Sequence, residues 1–327
     1  MEKKKYQIKH DLIKQVNGRT LYRIEALRSF KNVKKWELGG YVESEDNLAQ
    51  EGDCWVYDYA CAFEHCHVED NAMVCDNAMV FGKTIVGTDA IVCNNAKIFD
   101  TVVVKKAVVR NNAKIYGDAR INSYGKACCC AQIYDNVRIC GNADIEGNVT
   151  IKDNALIYGN VHIFENAQIC GCAQVYERAK IYGNAKIHNF AHIYGNAQIY
   201  DNAIVGGNSR VLDNSRIYEN AVIYNSGYIN GYNVKIHGNV KVYDCSCING
   251  GVELLDNVQI YEGVQLEEDA ELHDNVIVRD FAHVNGTTKL FDNVIVEGIA
   301  QVRGNTKLFG NKVVSGMTII EDNKDID

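Results

Sequence analysis

The chain has no proline in 327 residues, only two tryptophans, and no apolar run approaching the length of a membrane helix. Such a helix needs about 18 apolar residues, so no membrane helix is expected. The start MEKKKYQIKHDLIK has no apolar segment of the kind a signal peptide needs. Thirteen cysteines, an odd number without an export signal, point to reduced thiols and a cytoplasmic location. No phosphate-binding loop, dinucleotide fingerprint or paired-carboxylate constellation is present. Glycine is frequent, but its spacing follows a repeat, so loose G-x-x matches are products of the period. A strongly basic balance is also lacking, since the formal net charge is −8. Basic residues crowd into positions 1–36, where Lys3, Lys4, Lys5, Lys31, Lys34 and Lys35 lie, and the remainder is acidic. That distribution argues against nucleic acid along the body of the protein, because phosphate contacts dominate such binding.

What is abundant is a period of six. From Ile115 to Ile229 every sixth residue is Ile or Val, with Ala127 the one lapse. From Ile236 to Ile320 every sixth residue is Ile, Leu or Val. The residue two before each is small, as at Ala113, Ala155, Ala179 and Ala203. Mid-hexad pairs are corner formers: Gly159-Asn160, Gly183-Asn184, Asp201-Asn202, Asp256-Asn257. Neither a helix nor an ordinary sheet asks for this period, whereas a solenoid of stacked β-coils does.

With the aliphatic residue as position 1, strand alternation turns positions 5 and 1 inward and positions 6 and 2 outward. Positions 3 and 4 then turn the corner, where Gly, Asn and Asp reach positive φ at least cost. Small residues beside large ones let a narrow interior fill without overpacking. The absence of proline fits, because each coil must offer its backbone N–H groups to a neighbour. The pattern is read from about Val56, with a five-residue step restarting at Val103 and a seven-residue step restarting at Ile236. About fifteen three-sided coils at about 4.8 Å spacing would span roughly 70 Å.

This pattern resembles the hexapeptide-repeat motif of left-handed β-helix proteins. The segments LYRIEALRSF (21–30) and GGYVESEDNLAQEGDCWVYD (39–58) look like the opening region of YdcK-type hexapeptide proteins, bacterial chains also common in prophages and often labelled acyltransferases from fold alone. The resemblance implies a left-handed, single-stranded parallel β-helix. The fold class expected is therefore all-β, with a small N-terminal β cap over residues 1–55, the helix over 56–320 and an acidic tail over 321–327. The cap would prevent end-to-end pairing of exposed strand edges.

Residues one coil apart stack, so position 2 yields outward columns. One column is read as Phe63, Phe81, Phe99, Tyr116 and Tyr134, continuing through Cys170 and His188. Another contains Tyr182, Tyr200 and Tyr218. Stacked rings support a sheet, and exposed aromatic ladders also make contact surfaces. Cys61 and Met79 flank the phenylalanine column and make it too apolar to stay wet, so the N-terminal segment or a second chain should cover it.

For catalysis, the related acyltransferases imply a His base at a trimer interface and a loop inserted into the coil. Only a one-residue insertion is legible here, near Ile229–Lys235. His188 beside Cys170 is the candidate for an activated thiol pair. The pairs Cys170/Cys172 and Cys245/Cys247 and the run Cys128–Cys130 lack zinc-site spacing, so no metal is expected.

The function expected is a non-catalytic, cytosolic β-helical scaffold that binds a macromolecular partner or itself through its outer faces, as a homo-oligomer or with a protein partner. One version is an acidic, mobile-element-encoded inhibitor that mimics nucleic acid. The alternative is an acyltransferase using acetyl-CoA or another acyl-CoA at a subunit interface, and otherwise no cofactor is expected. A carbohydrate-binding module is third.

Overall fold

The computed structural model describes residues 4–122 and 131–322. Among them the structure is almost wholly β, with one short 3-10 turn at Glu45–Asn47. About fifteen coils of parallel β-structure are present, grouped into two compact units, Met1–Glu165 and Asn166–Asp327.

The first unit opens with three longer strands: β1 (Tyr6–Val16), β2 (Arg19–Ala26) and β3 (Leu38–Val42). β1 pairs antiparallel with β2, and β2 with β3. β3 then pairs in parallel with the first coil strand, Tyr41 opposite Cys61 and Val42 opposite Ala62. Leu48 bridges Val68 in parallel, and Trp55 pairs with Met73. Coil pairing therefore begins at Tyr41 and not at Val56. The period conceals this, because one side of the first coil takes eight residues, from Leu48 to Val56. Gly39 and Gly40 permit the approach: a Cβ on either would lie 2.6 Å from a backbone oxygen, of Val56 or Ala60.

The buried Trp55 organises this region. Tyr6 and Phe30 meet its indole edge-on, at 6.0 and 5.3 Å between ring centroids, and the Tyr6 hydroxyl donates to the Leu48 carbonyl at 2.7 Å. Lys5 is fully buried. Its ammonium donates to the carbonyls of Glu51 (3.1 Å) and Cys54 (3.0 Å) and to the Cys54 thiol (3.2 Å). A buried cation is tolerated only with such partners.

In each unit the coils are three-sided, and their strands are mostly two residues long. Positions 1 and 5 point inward as expected: Ile181, Ile193, Ala179 and Ala191 are all fully buried. The corner residue at position 3 takes positive φ, 68° at Gly183 and 53° at Asp201. Side-chain amides at position 4 then link coil to coil, Asn184 to Asn202 (3.1 Å) and Asn202 to Asn220 (3.2 Å). At many corners where position 3 is acidic, its carboxylate accepts the backbone N–H of the corner one coil on. Asp274 N donates to Asp256 Oδ2 at 3.1 Å, and Gly195 N to Glu177 Oε2 at 2.9 Å. Much of the acidity of the body therefore serves its corners.

Two features of the first unit differ from the sequence reading. The five-residue step runs from Val104 to Val109, since Val104 is buried and Val103 faces outward. More consequentially, Ala107 pairs with Ala131, Lys114 with Arg138 and Arg120 with Asp144, each 24 residues on. Elsewhere in the unit the spacing is mainly 17 or 18, as for Lys97 with Lys114 and Gln132 with Thr150. One coil thus carries an extra hexad, not a single extra residue at most. Ala127 and Cys128–Cys130 lie outside the described residues, as does Lys3.

Candidate interaction surface

The apolar column stands on the first unit. Phe63, Phe81, Phe99 and Tyr116 stack nearly parallel, with centroids 4.9, 5.0 and 5.0 Å apart. The spacing is set by the strands beneath, which bring one ring from each coil to the same place. Phe63 and Cys61 are buried under Leu21 of β2. Val16, Tyr41, Met79 and Phe81 pack around them. Burial raises the Cys61 thiol above its ordinary value, as expected for a packing group rather than a nucleophile. Phe99 and Tyr116 are half-buried and lie beyond that cluster.

Tyr134 does not continue this column. The extra hexad moves every later column by one face, so Tyr116 neighbours Cys140, since Ile115 pairs with Ile139. Tyr134 instead carries the Arg110 guanidinium over its ring at 4.6 Å.

On the second unit, Tyr182, Tyr200, Tyr218 and His237 form one ladder with centroids 4.7, 4.8 and 4.6 Å apart and planes within 7°. Inner ring faces are filled by neighbours, and the polar edges are what the ladder presents. Burial, reinforced by Tyr182 and Tyr218, pushes the Tyr200 phenol up to about 12. A sugar stacks on an open ring face, so this geometry does not suit the carbohydrate-binding alternative.

His188 and Cys170 sit at the outward position of adjacent coils, because Ile169 pairs with Ile187. The His188 ring, however, lies over Gly206, where a Cβ would fall 2.4 Å from its Cε1. Its centroid is 5.6 Å from that of Tyr224, whose hydroxyl accepts from Asn189 Nδ2 at 3.1 Å. The imidazole thus fills the notch that a missing side chain leaves.

His162 and His237 are legible in the sequence as outward residues, but the carboxylates that group around them are not read there. His162 Nε2 lies 3.8 Å from Glu146 Oε2, with Asp144 on the paired strand. His237 lies between Glu219 (3.8 Å) and Glu253 (3.5 Å), and Lys235 bonds Glu253 at 3.1 Å. Partial burial acts to raise the Glu253 carboxyl, but Lys235 and His237 hold it below its ordinary value. A spacing of 18 between Asp144 and His162 was the signal available.

A polar groove on the first unit is lined by corner residues, including Asn94, Asn111, Asp135 and Asp153. Asn111 Nδ2 donates to Asp135 Oδ1 at 2.7 Å, so these groups serve the corner ladder. Among the described residues no helix is long and apolar enough to cross a membrane.

No curated protein matches the chain. A family model described as the YdcK β-solenoid repeat matches residues 197–213, well away from the opening region on which the resemblance was read. Over that one repeat, the chain is similar to the YdcK β-solenoid family.

Proposed function

We propose that the chain is a scaffold whose outer aromatic ladders bind a macromolecular partner or a second copy, and that β1–β3 cap its first coil. The observation that carries this reading is the Tyr182–Tyr200–Tyr218 ladder. It offers a flat row of aromatic edges on rigid coils, the kind of surface that supplies contact area at little conformational cost. Phe99 and Tyr116 extend a second such surface beyond the cover over Phe63. The inhibitor version has less behind it, because corner carboxylates such as Asp256 already accept backbone N–H groups.

The test is Tyr200→Asp and Phe99→Asp in the full chain. Mass by light scattering reports self-association, and cross-linking in the native cell maps partner contacts. Loss of self-association or of partner cross-links in either variant supports the reading. Unchanged mass and unchanged cross-links in both defeat it.

A second reading, acyl transfer from acyl-CoA, is favoured by one observation. The strand Arg120–Asn122 pairs 24 residues on, Arg120 with Asp144 and Asn122 with Glu146. Those residues flank His162, a group of the kind that serves as general base. Acetyl-CoA-dependent turnover that His162→Ala abolishes would establish this reading over the scaffold.

A further inference from the structure

Soft donors converge at one place on the first unit. Met73–Val74 and Ile91–Val92 are paired strands, so Cys75 and Cys93, next in sequence to each, lie over one another. Asp76 follows Cys75 at a corner with φ 59°. The two sulfurs and an Asp76 carboxylate oxygen all lie within 4.8 Å of one another, and all three residues are half-buried. Met73 is half-exposed on the same strand face, two residues before Cys75, with its thioether 3.9 Å from Lys31 Nζ. Asp76 Oδ2 accepts the Asn94 backbone N–H at 2.8 Å, which steadies the carboxylate. Arg110, next along the column, is drawn over Tyr134.

We propose that Cys75, Cys93 and Asp76 bind a thiophilic d10 cation of the zinc class. Thiolate sulfur selects such ions over magnesium or calcium, which take oxygen donors. Three protein ligands leave one position of a tetrahedral shell for water. Binding releases the two thiol protons to solvent and ties adjacent coils together.

The experiment uses the full chain, reduced and stripped with chelator, titrated with cadmium and competed with zinc. A tight equivalent with cadmium–thiolate ultraviolet absorption is expected. Cys75→Ser and Cys93→Ser should each abolish it, while Cys245→Ser with Cys247→Ser should retain it. Asp76→Asn should weaken it by about tenfold or more. In unmutated protein, zinc should shield Cys75 and Cys93 from alkylation, mapped by mass spectrometry, which needs no variant to fold. Equal labelling with and without zinc, or a tight equivalent that survives both Ser variants, overturns the site.

Discussion

Lys5 Nζ lies 3.0 Å from the carbonyl oxygen of Cys54, 49 residues away, and both residues are fully buried. This contact joins the start of the chain to the first coil. Lys5→Met keeps the volume and removes the donor, leaving the Glu51 and Cys54 carbonyls without it. The expected loss is about 1–3 kcal/mol, and hydrogen exchange should locate it in residues 4–56. Faster exchange spread evenly over both units would refute that localisation.

Phe81→Asp places a charge in the stack between Phe63 and Phe99. Burying one such ring is worth about 1.5–3 kcal/mol, so the cover formed by Leu21, Val16 and Tyr41 should loosen. Limited proteolysis should then cut within residues 10–40. A fall in mass by light scattering would instead mark the column as an interface between copies. An unchanged mass and an unchanged digest would show that the stack needs no cover.

Ser215 stands inward, fully buried, at a position where many hexads carry Ala, and its hydroxyl has no hydrogen-bond partner. Thr84 at the equivalent position donates to the Phe81 carbonyl at 2.8 Å. Ser215→Ala removes an unsatisfied polar group and should stabilise the second unit by about 1 kcal/mol, read as a higher melting temperature. A lower one would mean that the hydroxyl is bonded in solution.

Tyr200 is held neutral up to about 12, against 10.0 for a free phenol. Its folded value is raised, so the stabilisation is complete below pH 10 and is lost as pH rises toward 12. Ultraviolet titration of Tyr200→Phe against the parent should remove a late phenolate, and the parent should lose stability across that window. A phenolate for Tyr200 that forms near pH 10 contradicts the burial argument.

The period of six made the inward residues legible, from Ile133 through Ile236 to Val302. The extra hexad was hidden for an arithmetic reason. An insertion one period long leaves the period intact, and only the lapse at Ala127 betrayed it. Every column drawn across that point, Tyr116 to Tyr134 above all, was therefore threaded onto the wrong face. Val102, Val103 and Val104 are equally apolar, and only coil closure decides that Val104 turns inward. The Cys75 group was hidden for a different reason: Cys75 and Cys93 lie eighteen residues apart, one coil, but the corner torsion at Asp76 that sets its carboxylate beside them is not legible in the sequence.

The corner carboxylates give each coil a polarity. In most of these contacts the accepting side chain belongs to the earlier coil and the donating N–H to the later one, as with Asp256 and Asp274 or Glu177 and Gly195, whereas Asp322 accepts from Asn305 of the coil before it. At such a corner the two rims are therefore chemically unlike, one presenting a carboxylate and a backbone N–H and the other the backbone N–H and carbonyl that meet them, as between Asp256-Asn257 and Asp274. Coils can meet corner to corner only in the same sense. Excising eighteen residues within the regular stretch of a unit would join two such unlike rims again, so such a unit can change length by whole turns without a new fit having to be found.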